Sequence, residues 1–166
     1  MRKPLVLFDL NGTLISRSRT KMQLRPGIEH LYLLKGLFDL GIYTSMTSKN
    51  AFRAVAEIGA SFAGLFDEDC VLLHRGHTKI IGRPKPWSTV KPVRTWLPDH
   101  PVVFVVDDTP EKALPDEASQ FLHVPTWTGG DDDVLHGLTQ YLLDVHQALD
   151  ALRVCINKIC SQVNDD

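Results

Sequence analysis

Cysteine is scarce: Cys70, Cys155 and Cys160 are the three thiols in 166 residues. Three scattered cysteines neither frame a disulfide scaffold nor fill a tetrahedral zinc site. Their usage fits a reduced cytoplasmic or nuclear chain. A basic excess is also missing. Eighteen Lys and Arg stand against twenty Asp and Glu, for a net charge of −2, so no direct nucleic-acid partner is expected. No apolar run approaches the ~18 residues that span a bilayer, so no membrane partner is expected either. Met1-Arg2-Lys3-Pro4 leads straight into a short apolar segment, which does not read as a secretory leader. Internal repeats, low-complexity tracts and obvious linkers are lacking, which predicts one domain over residues 1–166. What remains is ordinary globular composition, 43% hydrophobic and 23% charged. A chain of this size buries roughly two-thirds of its unfolded surface and needs no cross-links to hold a core.

Pro4 to Phe8 is a continuous apolar run, the signature of a doubly buried parallel strand, and it ends at Asp9. Asn11-Gly12-Thr13 marks a turn. After Pro26-Gly27, apolar residues at Ile28, Leu31, Leu34, Leu37 and Phe38 predict a helix that Gly41 ends. Gly41 to Thr44 reads as a second strand. Ser48 is the expected cap of a helix whose apolar side is Phe52, Val55, Ala56 and Ile58. A strand is expected at Cys70 to Leu73 and a helix from Ser88 to Leu97, with Pro92 starting its second segment. Val102 to Val106 is the strongest strand and ends in Asp107-Asp108. Gln120 to Val124 is the last. Asp131, Asp132 and Asp133 read as the cap and first turn of a final helix from Val134 towards Cys160. Its stripe of Val145, Leu149, Leu152, Ile156 and Ile159 is expected to pack on the sheet, with a partner or a dimer as the alternative. Strands alternating with helices predict an α/β fold, an open parallel sheet flanked by helices. Ligands bind such sheets beyond the carboxyl ends of the strands.

Three strand ends carry chemistry: Asp9, Thr44 and Asp107-Asp108. Alone, each has a bland reading as a turn former, a core hydroxyl or a surface charge. Their ordered placement changes that. A carboxylate repels a phosphate unless a divalent cation lies between them, and Mg²⁺ suits hard carboxylate oxygens. One carboxylate could then attack phosphorus to form an aspartyl-phosphate. The amides of Asn11 and Gly12 are read as a small anion nest. A hydroxyl and a lysine would complete the cradle.

Phe-Asp-Leu-Asn-Gly-Thr-Leu at 8–14 resembles the first motif, Asp-x-Asp-x-Thr, of the haloacid dehalogenase superfamily. Leu-Arg-Pro-Gly-Ile at 24–28, Ile-Tyr-Thr-Ser at 42–45, Cys-Val-Leu-Leu-His-Arg-Gly at 70–76 and Val-Val-Asp-Asp-Thr-Pro at 105–110 narrow the likeness. Together they resemble the phosphatases of the RNA polymerase II C-terminal domain and their small relatives, over Leu5 to Leu143. The resemblance implies an open Rossmann-like sheet with little or no cap. It implies Asp9 as nucleophile and Mg²⁺ ligand, the Asn11 carbonyl as a further ligand, and Asp107 and Asp108 as the rest of the metal site. Thr44 would bind the phosphoryl group, with Asn11, Gly12, Ser45 and a lysine around it. Lys91 is favoured for that lysine by its distance from the Asp pair; Lys85 is the alternative.

The departure is Asn11, where the family places a second Asp as general acid/base. A carboxamide exchanges no proton at neutral pH. Three readings stay open: a slow phosphatase, aided by a good leaving group or by His74 or His77; a module that binds phosphoprotein without turnover; or an exchange made to trap a complex. His74, Arg75 and His77 read by themselves as a solvated loop. Trp87, Trp96 and Trp127 read as packing residues, with Trp127 able to border the site. The short spans between Asp9, Thr44 and Lys91 leave no room for a full cap domain. An open site favours a phosphoprotein over a small metabolite, which needs enclosure; a small-molecule phosphatase is the further alternative. Arg17, Arg19, Lys21 and Arg25 read as a basic rim for acidic phosphopeptides or as a solvated loop. The β-hairpin insertion that relatives often carry there is expected to be nearly absent.

Overall fold

The computed structural model describes residues 2–17, 21–81 and 88–163, without the side chains of 160–163. Arg19, Lys85, Trp87 and the Cys160 side chain lie outside the described residues. The apolar run forms β1 (Leu5–Phe8), buried at all four positions. It pairs in parallel with β4 (Asp39–Tyr43) on one side and β8 (Val103–Asp107) on the other. The outer strands β5 (Leu72–Leu73) and β9 (Phe121–His123) are also parallel, giving the order β5-β4-β1-β8-β9.

Alternate residues of β1 serve two cores. Val6 and Phe8 face a cluster with Ile42, Ala51, Ile58, Leu135 and Leu142, built on α1 (Ser48–Ser61) and α3 (Val134–Val163). Leu5 and Leu7 face a smaller cluster with Tyr43, Val93 and Val105, under the short α2 (Val93–Trp96). Helical cover on both faces explains why β1 shows no polar alternation. Two antiparallel ladders, β2 (Ile15–Arg17) with β3 (Met22–Leu24) and β6 (Lys79–Ile80) with β7 (Thr89–Val90), stand outside the main sheet. The first is a short hairpin where almost none was expected. No helix among the described residues is long and apolar enough to cross a membrane.

Several local expectations need correction. The segment after Pro26-Gly27 is a 3-10 helix, Ile28–Leu34, rather than a longer helix ending at Gly41. Gly36, at φ +97°, makes the turn that follows. Gly41 instead lies inside β4. A Cβ there would come within 2.6 Å of the Val71 carbonyl oxygen and 2.9 Å of Leu7 Cδ2, so only glycine lets β4 and its neighbours close up. In α1 the buried face is Ala51, Ala54 and Ile58, while Phe52 and Ala56 are exposed. Small residues make up most of the buried face, so bulk was a poor guide to the inward side. The cap position is Thr47, not Ser48, and no side-chain cap bond forms. Ser88 to Leu97 is strand β7 followed by a single helical turn after Pro92, so Lys91 sits between them and not in a helix.

α3 has 30 residues, ~45 Å at 1.5 Å per residue, far longer than the sheet it covers. Its first half packs on the 3-10 helix and the core. Leu152, Ile156 and Ile159 are exposed, contrary to their expected packing on the sheet. Cys70 and Cys155 are free thiols.

Candidate active site

β1, β4 and β8 run in parallel, so their carboxyl ends come out on one edge of the sheet. Asp9 directly follows β1, and its amide donates to the Val106 carbonyl at 2.8 Å. Thr44 follows β4, and Asp107 closes β8. All three are buried, yet their side chains line one cavity of about 820 Å³, together with Asn11, Ser45 and Asp108. Carboxylate oxygens of Asp9, Asp107 and Asp108 lie within 4.8 Å of one another.

Lys91 is fully buried behind these carboxylates. Its Nζ donates to Asp9 Oδ1 at 2.7 Å and Asp107 Oδ2 at 2.5 Å. Burial opposes its charge, but Asp9 and Asp107 hold its pKa above the ordinary lysine value. It does not form part of the cavity wall, where a phosphate-binding lysine was expected. One ammonium is shared by two carboxylates, with Asp108 beside them. Burial first, then Asp107 and Asp108, therefore push Asp9 up to about 6 against the pull of Lys91. The donor set is hard, oxygen-only and short of positive charge, which fits a small divalent cation.

The raised Asp9 pKa has a measurable consequence in chelator-treated protein. The folded state keeps the Asp9 proton to about pH 6, whereas the unfolded chain loses it near 3.8. The contribution of Asp9 to stability therefore falls as pH rises between those values. Asn has the shape of a neutral Asp and does not titrate. Asp9→Asn is expected to match wild type near pH 4 and to exceed it by up to ~3 kcal/mol above pH ~7, measured by urea unfolding. A gap that stays constant with pH would contradict the shift.

Gly12 does not act as an anion-binding amide. Its N–H donates to the Ile15 carbonyl at 2.7 Å. Its role is steric: at φ +89° it presents a bare Cα to Asp108, and a Cβ would stand 2.3 Å from Asp108 Oδ2. Asn11 is exposed on the cavity wall. Thr13 Oγ1 is buried with no hydrogen-bond partner among the described residues.

The His-Arg-Gly-His segment is a clamp, not a solvated loop. Arg75 Nε donates to the Ser45 carbonyl at 2.9 Å, and the Arg75 amide donates to the Met46 carbonyl at 2.8 Å. Both bonds fix the loop that carries Thr44. His74 accepts from the Gly76 amide and His77 from the His74 amide, so their rings cap the local turn. Neither His lines the cavity. Trp127 is buried beneath the first motif, its amide donating to the Gly12 carbonyl at 2.8 Å. Trp96 is 44% exposed and bonds the His77 carbonyl through its indole.

Arg25 does not belong to a basic rim. It is buried and paired with Asp132 at 2.9 Å, whereas Arg17 and Lys21 are exposed. Lys112 and Thr89 are cavity residues that the sequence reading missed. Lys112 Nζ lies 3.4 Å from Thr89 Oγ1. Burial and then Lys91 lower its pKa against the pull of Asp107, Asp9 and Asp108. Its place four residues beyond Asp108, on the short turn Pro110–Lys112, was the available signal.

Residues 4–153 match the family described as NLI interacting factor-like phosphatase. Two solved structures share the fold. One is a variant of the fission yeast RNA polymerase II CTD phosphatase Fcp1 bound to beryllium fluoride. It is 20% identical, with a TM-score of 0.56, and the match covers 81% of this chain and 45% of that one. The other is Fcp1 described as an essential RNA polymerase II CTD phosphatase, 19% identical, with a TM-score of 0.56, covering 89% of this chain and 49% of that one. The chain thus spans about half the length of these relatives. No curated protein matches it. With nearly its whole length covered by the family match, the chain belongs to the NLI interacting factor-like phosphatase family, and its Asp9, Asp107 and Asp108 are gathered at one sheet edge.

Proposed function

We propose that residues 1–166 form one Mg²⁺-dependent phosphatase domain acting on phosphoserine or phosphothreonine in protein substrates. The observation that carries the reading is the meeting of Asp9 with Asp107 and Asp108 within 4.8 Å, at a cavity also lined by Thr44. Asp9, Asp107 and Asp108, with the Asn11 carbonyl, would hold the cation. When bound, Mg²⁺ supplies charge neutralisation and polarisation of the phosphoryl oxygens.

A free Asp9 oxygen attacks phosphorus while the bond to the serine or threonine oxygen breaks, leaving an aspartyl-phosphate. Thr44 donates a hydrogen bond to a phosphoryl oxygen, and Ser45 flanks it. Lys91 holds Asp9 in orientation and balances its charge from behind. The leaving alkoxide takes its proton from solvent, because the Asn11 amide has none to give. Water then attacks phosphorus, releasing phosphate and restoring Asp9. A macromolecular ester is favoured because the described segments between the motifs are small ladders, one helix and turns, with no cap domain to enclose a metabolite.

The test is hydrolysis of an aryl phosphate. Turnover is expected with Mg²⁺, with loss on chelation and in Asp9→Asn. Phosphopeptides are expected to outcompete sugar phosphates. Asn11 favours a second reading, a module that holds phosphoprotein without hydrolysing it. Binding of a phosphate analogue by a chain that stays inert even as Asn11→Asp would replace the enzyme reading by that one.

A further inference from the structure

Beneath the turn that follows Asp9 lies a charged pair outside the cavity. The Arg25 side chain is completely buried. Its Nε and Nη2 donate to the two carboxylate oxygens of Asp132, each at 2.9 Å. The remaining nitrogen, Nη1, donates to the Thr13 carbonyl at 3.1 Å and reaches the Gly12 carbonyl at 3.5 Å. Asp132 Oδ1 also accepts from the Val134 amide at 2.9 Å, at the first residue of α3. One guanidinium thus ties the Asp9 turn to the start of a helix more than a hundred residues away. The opposite side of the same turn is the bare Gly12 Cα against which Asp108 rests. A shift of Gly12 must therefore move the seat of Asp108, and with it the spacing to Asp9.

We propose that Arg25, held by Asp132, is a positioning residue: it fixes the Thr13 carbonyl and, beside the Trp127 amide that holds the Gly12 carbonyl at 2.8 Å, sets the spacing of Asp9, Asn11 and Asp108. This rests on the proposed Mg²⁺ site for its calorimetric arm and on the phosphatase reading for its kinetic arm. An ion pair that merely anchors α3 would be replaceable by packed apolar side chains, because a buried pair contributes little net stability over hydrophobic residues of similar volume. A positioning guanidinium is not replaceable, because neither Lys nor Met reproduces the fork and the third nitrogen on the carbonyls.

Three full-length variants decide this: Arg25→Lys, the double variant Arg25→Met with Asp132→Leu, and Asp132→Asn, which keeps an acceptor for Arg25 and Val134. Melting temperature, Mg²⁺ affinity by calorimetry, and kcat and KM on an aryl phosphate are measured for each. The double variant also loses the acceptor for the Val134 amide, so it is expected to fold with a modestly lowered melting temperature and to bind Mg²⁺ about 10-fold more weakly, as when outer-shell partners of a metal site are lost. Its kcat is expected to fall about 10-fold or more with KM little changed, the cost of misplaced reacting groups. Arg25→Lys should do the same, and Asp132→Asn should show a smaller loss of the same kind. A folded Arg25→Lys or double variant whose Mg²⁺ affinity stays within about 2-fold of wild type overturns the proposal, since lost outer-shell support costs more than that. If wild type binds Mg²⁺ but hydrolyses no ester, the phosphatase reading falls, and the calorimetric arm still decides the role of Arg25.

Discussion

Asn11→Asp is expected to raise turnover of an alkyl phosphoester by about 10²–10⁴-fold, the range for a positioned general acid/base. The side chain already stands on the wall of the cavity that Asp9, Thr44 and Asp107 line. Aspartate there could protonate the departing alkoxide and then accept a proton from the water that cleaves the aspartyl-phosphate. The gain should depend on the leaving group. An aryl phosphate departs as a stabilised phenolate and should gain far less than a phosphoserine peptide. Equal gains on both substrates would show that the residue at this position does not transfer the proton. A fourth carboxylate also adds like charge to a site where Asp9 is already held near 6. The acid limb of the rate profile should therefore move to higher pH.

Lys91→Met should have the largest effect on stability. The ammonium lies between Asp9 and Asp107 with none of its side chain exposed. Removing it leaves two buried carboxylates facing each other, an uncompensated charge that typically costs ~3–5 kcal/mol. The loss should be full at pH ~8 and shrink towards pH ~5, where Asp9 can take up a proton instead. Added Mg²⁺ should recover part of it by binding to the folded state alone. Urea unfolding at the two pH values, with and without Mg²⁺, measures each of these. A variant as stable as wild type at pH ~8 would mean that the pair does not balance this site.

The strand ends were legible because β1 and β8 are buried on both faces. Such strands leave uninterrupted runs such as Leu5–Phe8, and the residue after each run must lie at the sheet edge. Elements whose shape depends on distant contacts were not legible. Gly41 looked like a helix end, but its reason is the Val71 backbone just before the neighbouring strand β5. Arg25 looked like surface charge, since nothing local reveals a partner at Asp132. The Gly12 amide looked available for an anion, and only the tight turn onto Ile15 shows it to be committed. Lys91 carried a recognisable spacing, but its burial behind the carboxylates depends on β7 and Pro92 breaking the helix that periodicity suggested.

The β1–β8 ladder ends with Phe8 opposite Val106, and the Asp9 amide still bonds the Val106 carbonyl, so Asp9 and Asp107 are the next residues along the two strands. Parallel neighbours lie ≈ 4.8 Å apart wherever they pair. The separation of these two residues along the sheet is thus a repeat distance of the backbone itself, dictated by amide-to-carbonyl geometry, while Lys91 between them orients the carboxylates. Hairpins and rim residues away from the Asp9 turn can be lengthened, recharged or exchanged by evolution, and substrate preference retuned, without the reacting centre having to be rebuilt.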